Sequence, residues 1–141
     1  MKLIIHRDTE KIGGSVVELI SSSNSRIIID LGLPLLDDDG SMFNFNKYKS
    51  KTIKELIDLN ILPDIKGLYK DSEQQTNSEI DGILISHAHK DHYGLFQYVR
   101  DDIKFYLTEP TRKLISLTSL FTGTVNRIDN YQYDDFPPAF F

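Results

Sequence analysis

Residues 80–95 read IDGILISHAHKDHYGL, and this stretch determines how the rest of the chain is interpreted. Residues 80–86 form an apolar run that predicts a buried strand, and residues 93–98 predict the first turns of a helix. Between them lies a dense cluster of metal-type ligands: His87, His89, Asp91 and His92. Three of the four histidines of the chain fall in this cluster. Polar side chains between a strand and a helix are typical of an active site, because ligands bind outside the carboxyl ends of strands.

The spacing of the cluster suits metal binding. His87 and His89 are two residues apart, and in an extended segment such residues point the same way, so their imidazoles can converge on one cation. Asp91 and His92 come where the backbone turns into the helix, in position for a second cation. Imidazole nitrogen and carboxylate oxygen suit Zn²⁺ and, with less preference, Fe or Mn. The alternative is a surface loop that holds histidines or adventitious metal, and the density of the cluster argues against it.

The composition sets limits on the class of protein. The 141 residues, 40% apolar and 26% charged, are typical of one soluble globular domain. The net charge of −5 shows no basic surface of the kind that advertises nucleic-acid binding. No apolar run approaches the length of a transmembrane helix. The absence of cysteine excludes disulfides and thiolate metal sites, and it favours a cytoplasmic location.

Upstream of the cluster, the pattern predicts three strands. Residues 2–6 predict an opening strand, and residues 16–20 and 26–30 predict an antiparallel pair joined by the polar loop at residues 22–25. The pair lacks a strict alternation of apolar and polar residues, so we expect both of its faces to be covered. His6 is interpreted as a strand or surface histidine outside the cluster.

The remaining elements are predicted from periodicity and capping. Residues 52–59 predict a short amphipathic helix and residues 104–107 a strand. Thr108 is a candidate N-cap for a helix that contains Pro110 and reaches residue 121. Residues 60–78 predict a long irregular loop, in which residues 67–69 are a candidate buried anchor. The acidic run at residues 37–40 predicts a solvated turn, because the further ligands of a calcium loop are missing.

A family resemblance accompanies these residues. The run at residues 86–95, SHAHKDHYGL, closely resembles the His-x-His-x-Asp-His-x-Gly signature of the metallo-β-lactamase fold hydrolases. Residues 12–19 (IGGSVVEL) and 27–34 (IIIDLGLP) resemble the opening hairpin of that family, in which an aspartate follows the strand and precedes a glycine. The Gly-Gly form of the hairpin is most similar to the branch that includes ribonuclease J and related RNA-processing nucleases.

The resemblance implies a role for each site residue. His87 and His89 would bind the first metal, and Asp91 and His92 the second, with two zinc ions per complete site and Fe or Mn as alternatives. Asp91 would also be catalytic, since it helps to orient the nucleophilic water. Asp30 matches the buried aspartate near the family's site and would hold a ligand or the loop by hydrogen bonds. The alternative for Asp30 is an ordinary turn residue at the end of a strand.

The resemblance also implies an α/β fold and an incomplete site. Residues 1–141 would form a partial domain, the N-terminal half of an αββα sandwich, with a mixed, mainly antiparallel sheet and flanking helices. The family takes a further histidine, a bridging aspartate and a last histidine from its second half. After His92 this sequence has no histidine, so each metal would have fewer than the three protein ligands of a typical catalytic zinc.

Three explanations for the incomplete site remain open. The chain is a piece of a longer enzyme, or a naturally shortened product, or it completes its site with a partner chain. The first predicts an exposed apolar surface where a second sheet would lie, and such a surface favours homodimerisation or aggregation.

The expected function is hydrolysis by a metal-activated water. The leading substrate is a phosphodiester bond in nucleic acid, RNA above all, and the isolated chain is expected to be weakly active or inactive. One alternative is a small ester, thioester or lactam as substrate, which the acidic net charge favours slightly. Another is a non-catalytic metal-binding or interaction fragment.

Overall fold

A computed structural model describes residues 1–7, 13–70, 79–122, 128 and 131–132 of the chain. It contains six strands: β1 Lys2–Ile5, β2 Val17–Ile20, β3 Arg26–Ile29, β4 Gly82–Leu84, β5 Phe105–Tyr106 and β6 Tyr131–Gln132. It contains three α-helices and two short 3₁₀ turns: α1 Ile53–Asp58, α2 Lys90–Tyr93, α3 Glu109–Thr122, and the turns Phe45–Lys47 and Phe96–Tyr98. Within these ranges, no helix combines the length and apolarity needed to cross a membrane.

The six strands form one mixed sheet in chain order, from β1 to β6. The predicted hairpin is confirmed, since β2 pairs antiparallel with β3 and places Val17 opposite Ile29. β1 pairs antiparallel with β2, whereas β3, β4, β5 and β6 are successively parallel. The α/β class is therefore confirmed, but the expectation of a mainly antiparallel sheet is wrong. The connections after β3 pass through helices, and such crossovers bring consecutive strands back in parallel.

Most predicted elements are present with shorter ends. The strands predicted at residues 2–6, 80–86 and 104–107 are confirmed as β1, β4 and β5. α1 begins after Thr52, whose side chain forms a reciprocal capping box with Glu55. At the start of α3, the Thr108 hydroxyl oxygen accepts a hydrogen bond from the Thr111 amide at 3.3 Å. β6 was not predicted, because its two residues carry no periodicity of their own.

The helix after the histidine cluster lies elsewhere than predicted. The expected helix at residues 93–98 is wrong, since α2 spans Lys90–Tyr93 and only a 3₁₀ turn follows at Phe96–Tyr98. The reason is a tertiary hydrogen bond: the amide of Leu95 donates to the carbonyl of Leu31 at 3.1 Å instead of continuing the helix. Because α2 begins at Lys90, Asp91 and His92 lie on its first turn.

One face of the sheet forms the hydrophobic core. Ile28, Ile83 and Phe105 are buried on this face, in the same apolar cluster as Leu56 of α1 and Ile115 of α3. The predicted loop anchor belongs to the same cluster, since Leu68 and Tyr69 are both buried. Residues 71–78, the rest of that predicted loop, lie outside the described residues.

The opposite face of the sheet is open. Leu3 and Ile27 are both paired with Leu19, so these side chains lie on this face. Ile5 is paired with Val17, Val17 with Ile29 and Ile29 with Leu84, so these side chains lie on it as well. Four of its side chains are 41–58% exposed: Leu3, Ile5, Ile27 and Leu84. The expectation that both faces of the hairpin are covered is therefore wrong, whereas the apolar surface expected of a partial sandwich is present. We call these four residues the open face.

A partly buried arginine joins three separate segments of the chain. Arg7 donates from Nη1 to the carbonyl oxygens of Gly14, at 2.8 Å, and Gly32, at 2.7 Å, and from Nη2 to that of Ile61. Burial of the guanidinium away from water lowers the pKa of Arg7 to about 10. A guanidinium can serve several carbonyls at once because it has five donors in a fixed plane.

A second polar cluster lies at the start of the sheet. Glu18, which is 2% exposed, accepts hydrogen bonds at 2.6 Å from both Arg26 Nε and His6 Nε2. Burial raises the pKa of Glu18, but the hydrogen bonds and charges of Arg26 and His6 outweigh it and leave the pKa below its usual range. His6 is thus a partly buried structural partner, in agreement with its interpretation as a histidine outside the metal cluster.

The acidic turn is present but is less solvated than expected. The Asp37 amide donates to the carbonyl of Ser41, and Gly40 occupies the left-handed region with φ 78°. However, the Asp37 carboxylate accepts hydrogen bonds from Lys47 at 2.9 Å and from the Tyr48 hydroxyl at 3.2 Å. The turn is therefore fixed to the 3₁₀ segment that follows it.

Candidate metal centre

The histidine cluster follows directly from the end of a paired strand. β4 lies between β3 and β5, and the Asp30 amide donates to the Leu84 carbonyl at 2.8 Å, which fixes the exit of β4. The chain bends at residues 87–89, and His89 precedes α2 with φ −99° and ψ 143°. Asp91 and His92 then lie on the first turn of α2. The cluster therefore spans a bent connection and a helix start, and the extended segment expected for His87 and His89 is absent.

Asp30 lies at the centre of the site. It is 5% exposed, and its Oδ1 accepts a hydrogen bond from the Ser86 amide at 2.8 Å. Its Oδ2 lies 2.7 Å from the Ser86 hydroxyl and 2.8 Å from Nδ1 of His92. Asp30 adopts φ 60°, a left-handed conformation that costs a non-glycine residue about 1–2 kcal/mol. The contacts of the carboxylate and of the following backbone hold this conformation.

The backbone after Asp30 is tied to α2. Leu31 donates to the His92 carbonyl at 2.7 Å, and Leu33 donates to the Lys90 carbonyl at 3.0 Å. Between them, Gly32 approaches α2 so closely that a Cβ there would lie 1.5 Å from the carbonyl oxygen of Asp91. Glycine is required here because a side chain would overlap the backbone of Asp91. Residues 31–33, which we call the strap, thus fix the position of α2.

The structure brings all four predicted ligands together. The ring centroid of His87 lies 4.8 Å from that of His89 and 3.7 Å from that of His92. Asp91 Oδ2 lies 3.4 Å from Nε2 of His92. Across the described ranges, no three histidine, aspartate or glutamate side chains are already arranged as a metal site. The ligands are therefore neighbours, and coordination by three of them requires at least one side chain to change its rotamer.

The donor set nevertheless fits a zinc-type ion. Two ligands of one tetrahedral zinc, each about 2.0–2.2 Å from the metal, are separated by roughly 3.3–3.5 Å. The distance of 3.4 Å between Asp91 Oδ2 and His92 Nε2 agrees with that spacing. His92 directs Nδ1 to the Asp30 carboxylate, and a hydrogen bond of this kind is the usual way in which a protein orients a metal-binding imidazole.

The fold is shared with a solved structure. This is a protein of unknown function from Enterococcus faecalis V583, with a TM-score of 0.66 and 18% identity over 94% of this chain and 32% of that chain. Human tRNase Z, short form, is similar with a TM-score of 0.37 and 19% identity over 94% of this chain and 44% of that chain. That score is too low to support an argument. The chain spans less than half the length of either protein.

The sequence itself gives no further assignment. No family model matches it, and no curated protein is significantly similar to it. The comparisons therefore establish a shared fold with the Enterococcus protein and leave the chemistry to be argued from the site residues.

Two contributors to the site lie within the quoted motifs but were given no role of their own there. Ser86 contacts both Asp30 and the cluster, with Oγ 3.0 Å from His87 Nδ1 and 3.3 Å from His92 Nδ1. Its signal in the sequence is a hydroxyl at the end of an apolar strand, immediately before the first histidine. Gly32 is the other contributor, and a glycine two residues after the buried aspartate was the available signal.

Proposed function

We propose that this chain binds divalent metal through His87, His89, Asp91 and His92, and that it is part of a metallo-β-lactamase-fold hydrolase. The observation that carries the proposal is the ligand pair on α2, where Asp91 Oδ2 faces His92 Nε2 at 3.4 Å while Asp30 holds the other nitrogen of His92. Further support comes from the Ser86-to-Gly94 signature and from the proximity of the His87 and His92 rings.

The proposed chemistry is hydrolysis. A bound divalent cation supplies a Lewis acid and makes a water molecule nucleophilic near neutral pH. The role we assign to Asp91 is to bind the cation and to orient that water through its carboxylate. Asp30 stays out of contact with substrate and fixes the His92 ring. His87 and His89 provide the imidazole ligands of the segment between β4 and α2, with zinc as the preferred metal and Fe or Mn as alternatives.

The proposed substrate is a phosphodiester in nucleic acid, with RNA as the leading case. Support for it is the Gly-Gly form of the opening hairpin at Gly13 and Gly14, which resembles that of RNA-processing nucleases. A second candidate, a small ester, thioester or lactam, is favoured by the net charge of −5, because polyanions are repelled by an acidic protein. For the chain of 141 residues by itself we propose weak activity or none, since the ligand set is incomplete.

Metal binding is the first test of the proposal. Titration of the metal-free chain with Zn²⁺ or Co²⁺ should detect binding of well under two tightly held ions per chain. His87→Ala and His89→Ala should each weaken it, and Co²⁺ absorption should report the loss of a nitrogen ligand. The matched control is His6→Gln, the fourth histidine, which pairs with Glu18 away from the cluster. Unchanged binding in both cluster variants would refute the site, and two tightly bound ions in a monomer would refute its incompleteness.

Activity is the second test. The metal-loaded chain should be compared on a chromogenic phosphodiester, an aryl ester and a chromogenic lactam, with Asp91→Asn as the control for the proposed site. Slow phosphodiester cleavage that Asp91→Asn abolishes would support the nuclease assignment. Cleavage of the ester or lactam alone would favour the second candidate. Tight metal binding with no turnover of any of the three agrees with the inactivity proposed for the chain by itself and equally with a non-catalytic metal-binding fragment.

A further inference from the structure

We propose that Ser86 is a positioning residue that connects His87 to the buried carboxylate of Asp30, so that one aspartate sets the tautomers of two histidines. Asp30 acts on His92 directly and on His87 through the Ser86 hydroxyl. The relevance of this arrangement to metal binding rests on the proposed function, whereas the tautomers themselves are properties of the metal-free chain.

The direction of each hydrogen bond follows from counting hydrogens. A serine hydroxyl has one hydrogen and can accept in addition, while an ionised carboxylate can only accept. Ser86 Oγ lies 2.7 Å from Asp30 Oδ2, so its hydrogen is donated to the carboxylate. No hydrogen is then left on Oγ for any other group, and a further partner of Ser86 must be the donor.

Two imidazole nitrogens lie near Oγ, Nδ1 of His87 at 3.0 Å and Nδ1 of His92 at 3.3 Å. Nδ1 of His92 is closer to the Asp30 carboxylate, at 2.8 Å, and donates there, so the further partner of Ser86 is His87. Its Nδ1 lies 3.0 Å from Ser86 Oγ, so Nδ1 carries the hydrogen and Nε2 is left without one. His92 has the same tautomer for a different reason, since its Nδ1 lies 2.8 Å from the carboxylate itself. A neutral imidazole binds metal through the nitrogen that lacks a hydrogen. Both rings therefore present Nε2 as the available ligand atom.

The backbone of Ser86 strengthens this connection. Its amide donates to Asp30 Oδ1 at 2.8 Å while its hydroxyl reaches Oδ2, so the two contacts fix the plane of the carboxylate. Within the described residues, the His89 ring contacts His87 but has no hydrogen bond of its own. His89 should therefore keep the tautomer mixture of a solvent-exposed imidazole, and it serves as an internal reference.

The test is the imidazole nitrogen spectrum of the ¹⁵N-labelled, metal-free chain, at a pH where histidine is neutral. In the wild-type chain, His87 and His92 should carry hydrogen on Nδ1, and His89 should be a mixture of the two tautomers. In Ser86→Ala, His87 should become a mixture of tautomers like His89, while the tautomer of His92 stays unchanged. Ser86→Thr, which retains a hydroxyl, should restore the wild-type pattern. Ser21→Ala, which removes a hydroxyl in the β2–β3 loop, should leave all three rings unchanged.

The wild-type spectrum alone can overturn the proposal, because hydrogen on Nε2 of His87 contradicts it whether or not the alanine variant folds. An identical His87 tautomer in the wild-type chain and a folded Ser86→Ala variant would also overturn it. A second measurement, Zn²⁺ affinity, should fall roughly tenfold in Ser86→Ala and recover in Ser86→Thr. If the wild-type chain shows the expected tautomers but binds no metal, the proposed function fails while the role of Ser86 stands. If metal binds but Ser86→Ala leaves the tautomers unchanged, only the role of Ser86 fails.

Discussion

Asp30 Oδ2 lies 2.8 Å from Nδ1 of His92, a residue that follows it by 62 positions in the chain. The contact joins the end of β3 to the first turn of α2. The strap, which follows Asp30 directly, forms backbone hydrogen bonds with the same helix. Ligand orientation and backbone position are thus fixed by the same short segment of chain. The site is therefore sensitive to changes in residues that would never touch a metal.

The charge of Asp30 should matter for metal affinity. Asp30→Asn keeps the shape of the side chain but removes the acceptor that fixes the His92 ring, so Zn²⁺ affinity should fall by about 10- to 100-fold. Competition with a chromophoric chelator measures this. Asp58→Asn, at the exposed end of α1, is the control and should bind Zn²⁺ as the wild-type chain does. Equal affinity in Asp30→Asn would show that the contact has no role in metal binding.

Gly32 should tolerate no side chain. In Gly32→Ala the added Cβ would overlap the Asp91 carbonyl, so the strap or α2 must move. We expect a loss of about 3 kcal/mol in the free energy of unfolding and a clear loss of metal affinity. Gly40→Ala is the control, since its added Cβ meets nothing within 4 Å. The loss of stability in this variant arises only from the backbone φ of 78°. That variant should lose about 1–2 kcal/mol and keep its metal affinity.

Arg7 should contribute strongly to stability. Arg7→Met leaves three carbonyl oxygens without their donor, and each unsatisfied buried acceptor costs about 1–3 kcal/mol. Because the three share one side chain, we expect a total loss of about 3 kcal/mol in urea denaturation. Arg7→Lys should recover only part of this, since an ammonium lacks the planar fork that reaches several carbonyls. Full recovery by lysine would show that charge alone matters.

Glu18 should make the stability depend on acid pH. Its pKa is lower in the folded chain than the ordinary value of 4.5, so its stabilising contribution is complete above that value. The contribution is lost as the pH falls through the lower, folded pKa. Glu18→Gln should flatten this part of the pH profile and cost about 3 kcal/mol at neutral pH, because Arg26 and His6 lose a charged partner.

Denaturation at a series of pH values measures the effect of Glu18. Glu109→Gln on α3 is the control, and its profile should follow that of the wild-type chain, since its pair with Lys113 is solvent-screened. A profile of Glu18→Gln that still falls as steeply as the wild-type one would assign the acid sensitivity to another group.

The open face should drive self-association. Sedimentation velocity of the chain should show a concentration-dependent increase in mass, because contiguous exposed apolar surface favours association. Leu3→Lys combined with Ile27→Lys should reduce it, since both side chains lie on this face. Leu59→Lys, at an exposed apolar residue just after α1, is the control and should associate as the wild-type chain does. A monomeric wild-type chain at all concentrations would contradict this prediction.

The sequence predicted the elements that rest on local signals. The hairpin of β2 and β3 followed from two β-branched runs and a polar loop. α1 followed from periodicity, and α3 followed from periodicity and the N-cap candidate Thr108. The histidine cluster was visible for the same reason, because all of its members lie within one short stretch. These features depend on neighbours in the chain, which a sequence displays directly.

The wrong predictions concern features that depend on contacts between distant parts of the chain. α2 ends early because the Leu95 amide forms a hydrogen bond with the Leu31 carbonyl. The open face is exposed because, in the described part of the chain, no element covers its four side chains, and the strand pattern does not reveal this. The parallel pairing of β3 with β4 likewise depends on a long connection. None of these is encoded within a window of ten or fifteen residues.

The amino-acid sequence by itself therefore determined which residues we propose as ligands: three imidazoles and a carboxylate at the exit of a strand. Only the tertiary structure decided how they are held, by bringing Asp30 and the strap against α2 and Arg7 against the carbonyl of Gly32 in the strap. The physical reason is that ligand identity is a property of single residues, whereas orientation requires hydrogen bonds and close backbone approach between segments that only folding brings together.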